Sequence, residues 1–174
     1  SLKEENADLV TLTARLAEFR RDHPVFRRRR WFQGRPIHGS GVTDIGWFSP
    51  DGTLMSDEDW DSGFAKSVGV FLNGDAIPDP DPRGEKVTDD SFLVLFNAHH
   101  EDLPFTIPDK DWGDRWVVVL DTADLRLRPE PATAANGPVA QVAWEPGLGE
   151  GEPVKKGEQI DVAARSLMVL RRVD

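Results

Sequence analysis

The chain has 174 residues, 39% hydrophobic and 30% charged, with 15 Gly, 13 Pro and no Cys; this is the size of one globular domain and leaves out disulfide frameworks, thiolate zinc sites and cysteine nucleophiles. Its formal net charge of −10 divides into +4 over residues 1–36 and −14 over residues 37–174, and an acidic body lacks the Lys and Arg with which nucleic-acid binders neutralise phosphate. No apolar run nears the roughly 20 residues that span a bilayer and the N-terminus has no signal-peptide core, so a soluble cytoplasmic protein meeting neither nucleic acid nor membrane is expected, and Ser1 in place of an initiator Met predicts a piece of a longer chain.

Residues 5–22 carry Leu9, Leu12, Leu16 and Phe19 at spacings of three, four and three, with Glu4, Glu5 and Asp8 early and Arg20 and Arg21 late. That pattern predicts an amphipathic helix whose charges follow its dipole. Asn6 suits the N-cap, and Pro24 ends the helix at or before His23. The apolar stripe then needs a surface to cover it.

From Phe32 onward Gly and Pro recur every few residues, between short runs rich in Val, Ile, Phe and Trp. Strands are expected at Thr43–Phe48, Ser67–Leu72, Phe92–Asn97, Leu103–Ile107, Trp116–Leu120, Gln141–Trp144, Gln159–Val162 and Ser166–Arg171. With one N-terminal helix and no long helix after residue 25, they predict a mainly β chain folded as an antiparallel β-sandwich. The polar stretch Asn73 to Asp90 has the Asp-Pro and Asn-Gly chemistry of an ordered surface loop. The stretches Pro129 to Pro138 and Gly147 to Gly151 have linker composition.

Few local patterns carry chemistry. Arg27 to Arg30, with Arg20, Arg21 and Arg35, is expected to lie over apolar surface or pair with the acidic body, with Phe26 turned inward. His99 and His100 are adjacent, so in a strand they would face opposite ways and not grip one ion together; Asn97 suits a hairpin corner there. The acidic clusters Asp57-Glu58-Asp59, Asp61, Asp75 to Asp81 and Asp89-Asp90 read as solvated charge, and Asp79-Pro80-Asp81-Pro82 lacks the spacing of a Ca²⁺ loop. None of Ser40, Ser49, Ser56, Ser62, Ser67, Ser91 and Ser166 stands in a nucleophile signature, and phosphate-loop and dinucleotide signatures are missing. No catalytic residue, metal or cofactor is therefore expected.

Six tryptophans and no tyrosine make an unusual aromatic set. Trp47, Trp116 and Trp144 fall in strand runs and are expected in the core. Trp60 and Trp112 lie among Asp, Ser and Gly, where loops would present their indole faces to a sugar ring. These two are the candidate substrate-binding residues.

The order and spacing of three stretches go further: His23-Pro24-Val25-Phe26-Arg27-Arg28-Arg29-Arg30-Trp31-Phe32-Gln33-Gly34-Arg35, Asp44-Ile45-Gly46-Trp47-Phe48 and Asp57-Glu58-Asp59-Trp60. Together with Val68-Gly69-Val70-Phe71-Leu72-Asn73-Gly74, Asp81-Pro82-Arg83-Gly84 and Asp90-Ser91-Phe92-Leu93-Val94-Leu95-Phe96-Asn97-Ala98-His99-His100, they resemble the tail of GlgX/TreX-type glycogen debranching enzymes, isoamylase-like members of glycoside hydrolase family 13. The resemblance covers about residues 9–125, and Ala163-Ala164-Arg165-Ser166-Leu167-Met168-Val169-Leu170 resembles the family's closing strand.

The resemblance implies that residues 1–25 hold the last helix of a (β/α)₈ barrel and residues 26–174 the C-terminal β-sandwich. It also implies that the catalytic Asp and Glu residues lie upstream, since none matches here. The parent enzyme would hydrolyse α-1,6 branch linkages in glycogen or limit dextrin through two carboxylates, and this chain would support it without catalysing. Its implied partners are its own upstream barrel and, through the parent, glycogen or branched α-glucan. Alone, the helix stripe would fold onto the sandwich or self-associate.

Overall fold

The computed structural model describes residues 7–34, 43–61, 66–109, 111–123 and 153–174. Asn6, Arg35, the expected strand Gln141–Trp144 and both linker-like stretches lie outside the described residues. Helix α1 (Ala7–Asp22) holds no Gly or Pro, and its last turn closes with the His23 N–H donating to the Phe19 carbonyl at 3.0 Å. Pro24 then opens a 3₁₀ turn, Pro24–Arg27, at the one position where its missing N–H is not needed.

Eight strands follow among the described residues: β1 (Ile45–Phe48), β2 (Ser67–Leu72), β3 (Phe92–Asn97), β4 (Leu103–Thr106), β5 (Arg115–Asp121), β6 (Val154–Lys155), β7 (Gln159–Val162) and β8 (Ser166–Arg172). Six form one sheet in the order β1-β2-β3-β8-β5-β6, while β4 and β7 pair as a second, two-stranded sheet. Every pairing is antiparallel. A four-residue helix, α2 (Asp57–Trp60), sits between β1 and β2, started by a capping box in which Ser56 and Asp59 bond each other's backbone N–H.

Alternation along the strands gives the larger sheet two apolar faces. On the inner face Phe71, Leu93 and Leu170 stand opposite one another across β2, β3 and β8, all fully buried. They meet Phe105 and Val162 from the small sheet and Ile107 just beyond β4, which together close the sandwich. Each such side chain contributes about 1.5–3 kcal/mol by leaving water. On the outer face the rows are Leu72 with Phe92, Val70 with Val94 and Val169, and Val68 with Phe96 and Leu167.

Helix α1 lies over one end of that outer face. Phe19, His23 and Phe26 surround Phe92, with ring centroids 5.4, 4.8 and 4.9 Å away. The expected stripe is only half used: Leu12 and Phe19 pack on the sheet cluster, while Leu9 and Leu16 stay exposed. At the opposite end of the face Phe96 remains 39% exposed.

Candidate functional site

The residues that define the motifs act mostly as joints. Asp44, buried just ahead of β1, accepts from Arg28 Nη2 at 3.1 Å, the Gln33 N–H at 3.0 Å and the Gly34 N–H at 2.9 Å. Arg28 is 4% exposed along its side chain, and its guanidinium lies 4.1 Å from the Phe32 ring centroid. Arg30 pairs with Asp79 at 3.3 Å and Phe26 turns inward, so this part of the arginine run serves packing and pairing, as its sequence suggests.

Asp89 clamps the start of the same segment: it accepts from His23 Nδ1 at 2.8 Å, the Val25 N–H at 3.0 Å and the Asp90 N–H at 2.8 Å. Gly74 passes so close to this loop that a Cβ there would lie 2.0 Å from the Asp89 carbonyl oxygen; only glycine fits. Its N–H donates to Ser91 Oγ at 3.1 Å. Asn97, almost fully buried at the end of β3, donates through Nδ2 to the carbonyls of Glu101, Val162 and Ala163 and accepts the His99 N–H. One amide thereby fastens the β3–β4 turn to the end of β7, and no polar atom of it is left over for a ligand.

The tryptophans depart from the sequence expectation in an instructive way. Trp116 is fully buried in the inner layer. Trp47, expected in the core, is partly exposed on the outer face of edge strand β1 and meets Trp60 edge to face at 5.3 Å. Trp112, expected at a loop tip, is half-buried instead: it packs edge to face on Phe48 and Phe71, both at 5.0 Å. Gly46 makes the room, since a Cβ there would come within 2.8 Å of the indole. Trp60 and Trp112 thus lie on opposite faces of the sheet and form no common platform. Trp144 lies outside the described residues.

Trp60, 54% exposed, and Trp31, 93% exposed, border an open groove of about 1360 Å³ that runs over the uncovered end of the outer face. Trp47, Phe96, Val68 and Leu16 form much of its apolar lining. One carboxylate reaches it, Asp59, which already accepts the N–H and Oγ of Ser56 at 2.7 and 2.8 Å. Those bonds hold the Asp59 carboxyl below the ordinary carboxylate range, and hydrogen bonds from Ser49 and Thr53 do the same for Asp51. Both effects favour the charged form. Neither gives the protonated carboxyl that a general acid needs.

Two groups of potential metal ligands occur among the described residues. The turn after β3 corrects the expectation that His99 and His100 point apart: their rings lie 4.2 Å from centroid to centroid, and their ligand atoms fall with that of Glu101 within 4.8 Å of one another. The strand ends at Asn97, so the alternation that would separate them does not reach them. His99 Nδ1 already accepts the Glu101 N–H, and three ligands on an exposed turn fall short of a closed four-ligand zinc site. His23, Asp89 and Asp90 are the second group, with the Asp89 oxygens engaged as above.

Sequence reasoning had no signal for the groove, because it arises where α1 stops covering the sheet. The joints stand in the motif stretches, but their partners lie far along the chain, at separations such as 66 residues for His23 and Asp89.

The isoamylase C-terminal family model matches residues 44–171, from the Asp44 joint to the last strand. Glycogen operon protein GlgX homologs of Mycobacterium tuberculosis (strain ATCC 25618 / H37Rv) and Mycobacterium bovis are 42% identical over 173 residues, which is 99% of this chain and 21% of theirs. An isoamylase of Pseudomonas amyloderamosa is 24% identical over 120 residues, 69% of this chain and 13% of the relative. The chain spans about a fifth of the length of the GlgX homologs it matches.

Proposed function

This chain belongs to the isoamylase C-terminal domain family, and from that premise we propose that it is the closing, non-catalytic domain of a glycogen debranching enzyme. The whole protein would hydrolyse α-1,6 branch linkages in glycogen or limit dextrin, a step of glycogen catabolism in the cytoplasm. Residues 1–25 would contribute the last helix of the catalytic barrel and residues 26–174 the sandwich. The relatives' names support that setting, and the family match over residues 44–171 falls within the second part.

One observation carries the non-catalytic reading: four carboxylates of the motif stretches are engaged with the chain's own backbone and side chains. A glycosidase holds two carboxyl groups about 5–5.5 Å apart for retention or about 6.5–9.5 Å apart for inversion, facing each other across a sugar. Here Asp44, Asp59, Asp81 and Asp89 each accept two or more bonds from N–H or O–H groups nearby, and the groove offers Asp59 alone. Reducing-end release from branched dextrin tests this. The 174-residue chain is expected to give none and the full-length polypeptide to give it; release by this chain would overturn the assignment.

A second reading is glycan contact through Trp60 and Trp112. The exposure of the Trp60 indole beside Trp47 favours it at that place. Retardation in glycogen-containing gels, lost in Trp60→Ala, would support it; unchanged mobility leaves the domain purely structural.

A further inference from the structure

We propose that His99, His100 and Glu101, on the turn between β3 and β4, form an open site for a divalent transition-metal ion of the zinc class, with water completing its coordination. The inference stands apart from the reading of the domain as part of a larger enzyme.

The donor set comes first. The ligand atoms of the three residues fall within 4.8 Å of one another, and Glu101 Oε2 stands 3.9 Å from His99 Nδ1. Donors bound at about 2.0–2.2 Å to one tetrahedral ion are about 3.4 Å apart, so this pair needs to close by only about half an ångström. Two imidazoles and a carboxylate suit zinc, nickel and copper, whereas calcium and magnesium favour all-oxygen sets. Three protein ligands with water in the fourth place make an open zinc site. His100 and Glu101 are exposed, which leaves room for that water. The Glu101 N–H, which donates to His99 Nδ1 at 3.2 Å, turns to solvent when the ion takes the same lone pair.

The backbone that carries these side chains is already fixed. The Ala98 N–H donates to the Lys66 carbonyl at 2.8 Å, the His99 N–H to Asn97 Oδ1 at 2.9 Å, and the Arg165 N–H to the His99 carbonyl at 3.0 Å. Asn97 Nδ2 donates to the Glu101 carbonyl at 2.9 Å, and Asp102 Oδ1 accepts the Ala164 N–H at 2.8 Å. An ion therefore has only side chains to order, and a site ordered in advance binds more tightly for the same contacts. The second group, His23, Asp89 and Asp90, is less suited. Asp89 is engaged by the Val25 and Asp90 N–H groups and by His23 itself, so an ion there would have to dismantle the joint that holds the end of α1.

Zinc titration of the metal-stripped chain at neutral pH, followed by calorimetry and by NMR of the imidazole rings, tests the site. One ion per chain is expected, with the ring signals of His99 and His100 shifting together and those of His23 unmoved. His99→Ala, His100→Ala and Glu101→Gln should each weaken binding by about 10–100-fold, the range that changes around metal ligands produce. Because the His100 and Glu101 side chains are exposed, those two variants should keep the circular dichroism and melting transition of the parent chain, so a loss of binding in them is not a loss of fold. Affinity unchanged by all three substitutions would overturn the proposal, since the ion would then be held elsewhere. Zinc shifts at His23 would also overturn it by assigning the ion to the other group, and so would the absence of any zinc-dependent ring shift.

Discussion

The two faces of the six-stranded sheet are built from equally apolar strands but are finished differently. On the inner face Phe71, Leu93 and Leu170 are fully buried, covered by Phe105 and Val162 of the small sheet and by Ile107 just beyond it. On the outer face α1 and the segment after it enclose Phe92 but leave Phe96, Trp47 and Trp60 in contact with water. An internally satisfied face needs nothing further. A half-covered one leaves apolar surface in contact with water.

The comparison breaks most readily on the inner side. Phe71→Ala removes a ring packed on Trp112 and Trp116 with nothing positioned to refill the space, and should cost about 3–5 kcal/mol in denaturant unfolding of the isolated chain. A loss under about 1 kcal/mol would mean that this layer is loose and the contrast unfounded.

Next in size is the closed end of the outer face. Asp89→Ala leaves the Val25 and Asp90 N–H groups and the His23 ring nitrogen without their acceptor, with an expected cost of about 2–3 kcal/mol. The local signature should be faster amide exchange at Val25 and through the last turn of α1. Unchanged exchange there would show that Phe19 and Phe26 alone hold the helix down.

At the open end the expectation reverses. Phe96→Ala and Trp47→Ala remove side chains that are already partly in water, so each should cost this chain under about 1 kcal/mol. A cost above about 2 kcal/mol for either change would show that this end is packed as tightly as the inner layer.

These zones were unequally legible in the sequence. The bounds of β2, β3 and β7 follow from short apolar runs framed by Gly, Asn and Asp, and they stand where the pattern puts them. The helix end at Asp22 follows from Pro24. Strand β6, Val154–Lys155, is two residues long and too short to have a period. The exchange of roles between Trp47 and Trp112 was beyond reach for another reason. Each has a Gly beside it, and which indole is covered depends on Gly46 standing under Trp112 and on β1 being an edge strand, facts that exist only once the sheet is assembled. The half-used stripe of α1 is similar: periodicity places Leu9 and Leu16 on the apolar side but does not say how far the covering sheet extends. Asn97 is legible as a hairpin corner, but its bonds to the Val162 and Ala163 carbonyls, like those of Asp44 to Arg28 and Gln33, join residues that only the assembled fold brings together.

The smallest expected effect concerns the exposed loop between β1 and α2. Ser49 Oγ, Thr53 Oγ1 and the Thr53 N–H all donate to Asp51 Oδ1, at 2.7, 2.7 and 3.0 Å. The Ser49 bond, then those of Thr53, hold the carboxyl below its ordinary value of 3.8. A group whose pKa is lower folded than unfolded adds stability that is present above the unfolded value and disappears as the pH falls through the folded one. The loss therefore belongs below about pH 3.8, and because Asp51 is exposed, solvent screening limits it to about 0.5 kcal/mol or less. Stability followed by urea unfolding from pH 5 down to pH 2.5 should fall slightly less steeply for Asp51→Asn than for the parent chain. Because the amide cannot titrate, a slope as steep in the variant as in the parent would show that the loop gains nothing from the charge, and that its order comes from the Gly52 turn alone.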